Sequence, residues 1–379
     1  MQRRKFGMYD FCVSALGFGC MRLPVIDNQQ DKIDVEKTDE MIRYAIDHGV
    51  NYVDTAFNYH RGQSEIVVGD ILKKDGYREK VYLATKCPTW LIEEHQDFDK
   101  YLNIQLEKLQ TDHIDMYLMH SLNKERWESI AKSDVFTFLD KAKKDGRIGY
   151  AGFSFHDDVE TFKTIVDAYH WDLCQIQYNY MDEYYQAGTE GLRYAASKNL
   201  AVVIMEPLRG GLLVRNVPEE VKRIFAESGV ERSPADWALR WVLNHPEVTL
   251  ALSGMGNLDE VKENIETAKT ALPNSLTDEE LKVYEKVKAF YRGRMKINCT
   301  KCEYCMPCPE NISIPNLFEM YNEACIFGTL DDLRRGYQRI VENYGDPANC
   351  AECGQCEEAC PQNLPIREYM KEIRSVLKG

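Results

Sequence analysis

The stretch Asp54-Thr55-Ala56-Phe57-Asn58-Tyr59 decides the fold, because it places an aspartate at the end of a predicted strand and a tyrosine in the loop that follows. Two later predicted strands end beside ionisable partners, one at Lys86 and the other at His120. In a barrel of parallel strands the carboxyl ends all open on one face, and active sites are built there. These four ionisable side chains therefore predict a single active site at that face.

Strand-like and helix-like segments alternate over roughly the first 270 residues. The predicted strands are 15–18, 52–54, 81–85, 114–119, 150–154, 173–177, 201–205 and 249–253. The predicted helices are 35–48, 64–73, 97–109, 135–144, 159–168, 190–198, 233–244 and 258–271. Eight strands that are each followed by a helix predict a (β/α)8 or TIM barrel. A doubly wound open sheet is the rival, but no Gly-x-Gly-x-x-Gly motif follows the first strand.

After residue 273 the alternation stops, and the chain becomes helical and rich in cysteine. Ser275 and the acidic residues behind it predict the start of a polar helix. Further helices are predicted at 317–325, 330–344 and 366–377. The predicted domains are a barrel over 1–274, a connecting helix within 275–298, and a small all-α ferredoxin-like iron–sulfur domain over 299–379.

The composition excludes several classes of function. The formal charge is −14 and no basic stretch compensates it, so nucleic acid is not an expected partner. No segment approaches the roughly 20 apolar residues of a membrane span. Arg3, Arg4 and Lys5 precede no apolar run, which argues against a signal peptide. We therefore expect a cytoplasmic protein that binds neither nucleic acid nor membrane.

Eight of the thirteen cysteines fall in two tight runs, and the other five are best read as small apolar residues. The second run has the spacing of bacterial two-cluster ferredoxins, in which the fourth cysteine ligates the other cluster. Two zinc sites are the rival interpretation, because Cys-x2-Cys pairs also suit tetrahedral zinc, but repeated close spacings that end in Cys-Pro favour clusters. The pattern assigns two [4Fe-4S] clusters, one to Cys299, Cys302, Cys305 and Cys360 and the other to Cys350, Cys353, Cys356 and Cys308.

The strand-end motifs resemble those of the aldo-keto reductase family. Asp54-Thr55-Ala-x-x-Tyr59 with Ser64-Glu65 behind it, Ala84-Thr85-Lys86 and Leu118-Met119-His120 occur in the order typical of that family. The resemblance covers about residues 4–272. The cysteine-rich tail resembles the two-cluster domain carried by a subgroup of these proteins.

The resemblance implies that Tyr59 exchanges a proton with a carbonyl or alcohol while NAD(H) or NADP(H) exchanges a hydride. A free tyrosine has a pKa near ~10, which is too high for ready proton transfer at neutral pH. A Lys86 cation beside it would favour the phenolate, and Asp54 would hold that cation in place. His120 would hydrogen-bond the substrate oxygen or relay the proton.

The resemblance also implies a set of cofactor-binding positions, with departures from the family pattern. Phe155 replaces an asparagine that holds the carboxamide, and Met205 replaces an aromatic residue that stacks on the nicotinamide, although a thioether also packs against rings. Glu260 stands where NADP-preferring members carry arginine, and a carboxylate there would repel a 2′-phosphate, which favours NAD. The cofactor-binding residues are Gly19, Met21, Ser154, Gln177, Met205, Pro207, Leu208, Gly210, Ser253, Gly254, Met255, Glu263 and Asn264.

Two functions of different classes agree with these features. In the first, the protein is an NAD(P)H-linked oxidoreductase that acts on a small carbonyl or alcohol, with clusters for electron transfer or structure. In the second, it is an electron-transfer protein that couples a barrel-bound nicotinamide or flavin to a ferredoxin-like partner. A third interpretation, a redox-sensing regulatory subunit, is disfavoured by the intact set of four strand-end residues.

Overall fold

The structure is a computed structural model that describes residues 1–299, 303–360 and 362–378. The chain forms two compact units. The barrel unit consists of Met1–Val214 and Arg232–Thr277, and the C-terminal unit consists of Arg215–Glu231 and Asp278–Gly379.

Eight parallel strands close into a barrel, in the order β10-β3-β4-β5-β6-β7-β8-β9. The remaining two, β1 and β2, pair antiparallel as a hairpin. This closed parallel sheet confirms the predicted (β/α)8 class. The strands are β1 (Arg3–Lys5), β2 (Cys12–Ser14), β3 (Leu16–Gly19), β4 (Tyr52–Asp54), β5 (Tyr82–Cys87), β6 (Ile114–Leu122), β7 (Ile148–Phe155), β8 (Leu173–Gln177), β9 (Ala201–Met205) and β10 (Leu250–Ser253).

Helices surround the barrel and make up the C-terminal unit. They are α1 (Val35–Asp47), α2 (Ser64–Leu72), α3 (His95–Leu109), α4 (Lys124–Lys132), α5 (Val135–Lys144), α6 (Val159–Ala168), α7 (Gly188–Ser197), α8 (Glu219–Glu227), α9 (Pro234–Leu243), α10 (Leu258–Thr270), α11 (Asp278–Arg292), α12 (Ile314–Phe327), α13 (Leu330–Arg335), α14 (Tyr337–Tyr344), α15 (Gln355–Glu358) and α16 (Ile366–Lys378).

Five of these helices differ from the sequence prediction: α4, α8 and α15 were not predicted, and α13 and α14 were predicted as one helix. The polar helix α4 buries only Ile130, and α8 buries only Val221 and Phe225, so few apolar residues mark either of these short helices in the sequence. The single helix predicted over 330–344 is two helices, α13 and α14, which meet at Gly336.

Side-chain caps fix where the helices after the strands begin, and so anchor the loops at the carboxyl face of the barrel. Each capping side chain accepts a hydrogen bond from the backbone N–H three residues further on, which satisfies a donor that the first helical turn leaves without a partner. The caps are Asp34, Asn123, Asp158, Ser233 and Asn257.

The lumen of the barrel is filled with apolar side chains, and the hairpin β1–β2 seals its lower end. Phe6 stacks on Phe11 at 5.0 Å between ring centroids, and Phe11 lies 4.8 Å from the ring of Tyr82. The buried side chains of this core are Phe6, Val13, Tyr52, Ala84, Met116, Leu118, Leu173, Ala201, Val203, Leu250 and Leu252. Any site must therefore lie at the opposite, carboxyl face.

The C-terminal unit has a separate helical core, which brings the two cysteine runs together. Residues from α12 and α16, among them Phe318 and Ile373, form its buried part. Cys299, Cys308 and Cys350 pack against this core and are partly buried. Among the described residues, no helix is both long and apolar enough to cross a membrane.

Candidate active site

Lys86 is the centre of the site at the carboxyl face. It lies in β5 with its side chain entirely buried. Its Nζ donates to Asp54 Oδ1 at 2.6 Å and to the Thr55 carbonyl at 2.8 Å. The Tyr59 hydroxyl oxygen lies 3.3 Å from the same Nζ. The structure thus brings Asp54, Tyr59 and Lys86 together around one ammonium group.

The pKa values in this cluster reflect a balance between burial and charge. Burial raises the pKa of the Tyr59 hydroxyl, and the opposing effect of the Lys86 cation does not cancel that rise. Burial also raises the pKa of Asp54 against the effect of Lys86. The pKa of Lys86 is raised even though burial lowers it, because Asp54 and Tyr59 favour the cation. The sequence predicted that Lys86 lowers the pKa of Tyr59. Lys86 does act in that direction, but the effect of burial is larger and the pKa is raised overall.

His120 lies beside Tyr59 at the end of β6. The two rings meet edge to face with centroids 6.0 Å apart, and the indole of Trp90 lies 5.3 Å from the imidazole. Burial, with added repulsion from Lys86, holds the pKa of His120 well below its usual range, so the imidazole is neutral. Its buried Nδ1 has no hydrogen-bond partner within the described part of the chain.

The loop that carries Tyr59 is held by the next residue, His60. The His60 Nε2 accepts from the Leu23 N–H at 3.1 Å, and its Nδ1 lies 2.9 Å from the Gln30 carbonyl oxygen. These two bonds require the neutral tautomer with the proton on Nδ1. His60 and Arg61 both have left-handed backbone conformations, with φ of 50° and 54°.

A buried carboxylate supports the site from behind Thr85. Glu65 accepts from the Thr85 hydroxyl at 2.7 Å, from the Gln105 amide at 2.6 Å and from Lys108 at 3.3 Å. Gln105 also donates to the Lys86 carbonyl at 3.0 Å. Sequence reasoning noted Glu65 but missed Gln105 and Lys108, because they lie about forty positions further on in helix α3.

Several predicted cofactor residues lie at the ends of barrel strands and are already hydrogen-bonded. The Ser154 hydroxyl accepts from the Ser121 N–H at 2.7 Å. The Asn264 amide donates to the Ser253 hydroxyl at 3.0 Å, which ties α10 to the end of β10. The Gln177 amide donates to Asp182 at 2.9 Å.

The other predicted cofactor residues line the loops around these strand ends. Gly19 ends β3 and Met205 ends β9, with Met205 accepting a long hydrogen bond of 3.7 Å from Gln175 to its sulfur. Met21 is 54% exposed, whereas Met255 is buried. Pro207 is buried, Leu208 and Gly210 are partly buried, and Gly254 and Glu263 are exposed. Phe155, at the position where an asparagine was expected, is fully buried and packs against Phe162 at 5.1 Å.

The cysteines of the C-terminal unit line two neighbouring cavities. The larger, of about 210 Å³, is lined by Cys305, Cys308, Cys350, Cys353 and Cys356. The smaller is lined by Cys299, Cys305 and Cys360. Cys302 was predicted as a ligand and lies outside the described residues. Thiols, the usual ligands of iron–sulfur clusters, line both cavities, although among the described residues no group of three or more His, Cys, Asp or Glu side chains is already arranged to hold a metal ion.

This fold and site match known protein families. The model of the aldo/keto reductase family matches residues 15–289, so the chain belongs to that family and is an oxidoreductase of its type. A second model, the 4Fe-4S dicluster domain, matches residues 298–364. The predicted family and the predicted iron–sulfur domain are both confirmed.

Individual relatives cover the barrel at moderate identity. YqkF, an uncharacterized oxidoreductase of Bacillus subtilis, is 25% identical over 314 residues that span 75% of this chain and 96% of the relative. The NADH-specific methylglyoxal reductase of Escherichia coli is 24% identical, over 70% of this chain and 93% of its own. The holo form of aldo-keto reductase AKR11C1 from Bacillus halodurans is 28% identical with a TM-score of 0.64, and the match spans 76% of this chain and 96% of that structure.

Proposed function

We propose that the protein interconverts a carbonyl and an alcohol with NAD(P)H, and that Tyr59 is its general acid and base. The observation that carries this proposal is the Lys86 ammonium, which lies 2.6 Å from Asp54 and 3.3 Å from the Tyr59 hydroxyl. A bound nicotinamide supplies a hydride to the substrate carbon, or accepts one in the reverse direction. The residues of this chain handle the accompanying proton.

In the reducing direction the Tyr59 hydroxyl donates its proton to the substrate oxygen. Burial raises the pKa of that hydroxyl, so the proton is in place before the substrate arrives. The phenolate left behind is stabilised by the Lys86 cation, whose charge Asp54 balances. The neutral imidazole of His120, beside Tyr59, supplies a hydrogen bond to the substrate oxygen.

We favour NAD over NADP as the cofactor held by the strand-end residues. Ser253 at the end of β10 accepts a hydrogen bond from Asn264 on α10, and Ser154 lies near the end of β7. The Glu260 carboxylate is fixed at the start of α10, where it accepts from the Gly256 N–H at 2.7 Å. A carboxylate fixed beside the adenosine loop would repel a 2′-phosphate.

The substitution Tyr59→Phe tests this proposal. It should lower the rate of NADH-dependent carbonyl reduction by at least about 100-fold, the usual contribution of a general acid, and leave the Kd for NADH unchanged. The assay follows NADH oxidation with a panel of aldehydes and ketones that includes methylglyoxal, the substrate in the name of the Escherichia coli relative. Tyr184→Phe is a matched control, because Tyr184 is 88% exposed. Full activity in Tyr59→Phe would refute the role.

We also propose that the C-terminal unit holds two [4Fe-4S] clusters, with ligands that cross between the two cysteine runs. Cys308, from the first run, lines a cavity together with Cys350, Cys353 and Cys356 from the second. Cys360, from the second run, lines the other cavity with Cys299 and Cys305. This exchange of the fourth cysteine is the two-cluster ferredoxin pattern.

The second candidate function is electron transfer between a cofactor in the barrel and a ferredoxin-like partner. It is favoured by the exposure of Cys353, which lines the larger cavity and would bring a cluster edge close to solvent. The test is anaerobic: NADH is added to the iron-loaded protein, and the cluster absorbance and EPR signal are followed. Cluster reduction that accompanies NADH oxidation would support this function and call for a search for a flavin. Clusters that stay oxidised when NADH, and then NADPH, is added would leave a carbonyl reductase with a structural tail.

A further inference from the structure

Arg22 lies across the loops that the sequence assigns to the cofactor, although no motif singled it out. It ends a short 3-10 turn, Cys20–Arg22, which follows β3. A Cβ placed on Gly254 would lie 3.3 Å from the Arg22 Cβ and 3.4 Å from its Cγ and Cδ. A Cβ placed on Gly210 would lie 3.2 Å from Arg22 Nη2. The arginine stem therefore rests on the loop after β10, and its guanidinium reaches the loop after β9.

The guanidinium of Arg22 lies near charged groups but forms no ion pair with any of them in the described chain. Partial burial raises the pKa of the Glu206 carboxyl, and the positive charge of Arg22 opposes that rise. The neighbouring Arg209 has a carboxylate partner of its own, Asp182, at 3.3 Å. Within the described chain, Arg22 makes no ion pair and no side-chain hydrogen bond. Arg22 is thus a cation between the loops after β9 and β10, and its N–H donors are available to a ligand.

We propose that Arg22 binds the pyrophosphate of the nicotinamide cofactor and sets how tightly the cofactor is held. A guanidinium offers five N–H donors in a planar fork, which matches the geometry of phosphate oxygens. The stem fills the space that a side chain at position 254 would need, so the absence of a Cβ on Gly254 is what lets the arginine lie in this direction. This inference rests on the proposed function, because it requires a nicotinamide in the barrel.

The position of the Arg22 charge favours contact with the pyrophosphate rather than with a 2′-phosphate. The Arg22 head lies at Gly210, in the loop after β9, whereas Glu260 lies in the first turn of α10 and places a negative charge near the loop after β10. The pyrophosphate is common to NADH and NADPH. Loss of Arg22 should therefore weaken the binding of both by a similar factor.

The test measures Kd values for NADH and NADPH by titration of the full iron-loaded protein under anaerobic conditions. Arg22→Gln should raise both values by about tenfold to 100-fold, the usual range for losing a charge-assisted hydrogen bond. Arg22→Lys should recover part of the loss, and the difference from wild type should shrink in high salt. Arg3→Gln is the matched control, because it removes the same charge from the hairpin at the other end of the barrel.

A second variant separates a binding role from a structural one. Glu206→Gln removes a carboxylate whose pKa the Arg22 charge lowers, so it should tighten NADH binding by a larger factor in the wild-type background than in Arg22→Gln. Unchanged Kd values in Arg22→Gln would overturn the role of Arg22 and leave the proposed function intact. A loss confined to NADPH would overturn the pyrophosphate assignment. A wild-type protein that binds neither nicotinamide would overturn the proposed function and this inference together.

Discussion

Replacing Lys86 by methionine should destabilise the barrel and make its stability depend on pH. The Lys86 side chain is entirely buried, and its partner Asp54 is 2% exposed. The second carboxylate oxygen of Asp54 already has no partner among the described residues, so the lysine supplies its main compensation. Removing one member of a buried ion pair typically costs about 3–5 kcal/mol of the free energy of unfolding.

Proton linkage gives an independent value for the same cost. Without the cation, the buried carboxyl keeps its proton in the folded state, while the unfolded chain releases it with an ordinary pKa of about 3.9. At about pH 7 this costs about 1.36 kcal/mol for each of roughly three pH units, or about 4 kcal/mol. The folded state holds the extra proton, so stability recovers as the pH falls, and the loss at about pH 5 should be only about 1.5 kcal/mol.

Tryptophan fluorescence during urea unfolding isolates the barrel, because all five tryptophans lie in the barrel unit. Lys141→Met is the matched control, since its 2.9 Å pair with Asp99 joins side chains that are 58% and 28% exposed, and such pairs contribute at most about 1 kcal/mol. The double variant with Asp54→Asn should recover most of the lost stability. A loss below about 1 kcal/mol at pH 7, or one that is the same at pH 5, would refute the reasoning.

Two further predictions concern pH and the clusters. The value of kcat/KM for carbonyl reduction should be flat from about pH 6 to 8, because burial keeps His120 neutral and Tyr59 protonated in this range. A pH titration that inflects near the ordinary histidine pKa of about 6.5 would contradict this. Cys308→Ser should lower the iron content by about half and spare one cluster EPR signal, because Cys308 lines only the larger cavity. Cys174→Ser, at a buried barrel thiol, should change neither, and an unaltered iron content in Cys308→Ser would argue against the crossed ligand set.

The sequence predicted the barrel well because buried parallel strands carry a strong local signal. The fully buried strand β8 and the continuous apolar run of β9 were predicted with the same bounds that the structure gives. The juxtaposition of Asp54 and Lys86 also followed from the strand pattern, because neighbouring parallel strands bring their ends together. The roles of these residues and the domain boundaries remain predictions.

The features that could not be predicted from the sequence depend on contacts between distant segments. The polar helix α4 buries a single residue, so few apolar side chains distinguish it from a loop in the sequence. The net direction of the Tyr59 pKa depends on how burial and the Lys86 charge balance in three dimensions. Arg22 meets Gly210 and Gly254 only because three strands end together, and no spacing within one segment encodes that contact.

The filled lumen and the hairpin that closes the lower end of the barrel also determine how molecules reach and leave the site. Phe6 and Leu173 occupy the space below the strand ends, so the described residues leave no passage through the barrel from the candidate site. Whatever reaches Tyr59 must enter and depart by the same mouth. A product that remains bound there blocks the next substrate, so product inhibition should be competitive with substrate.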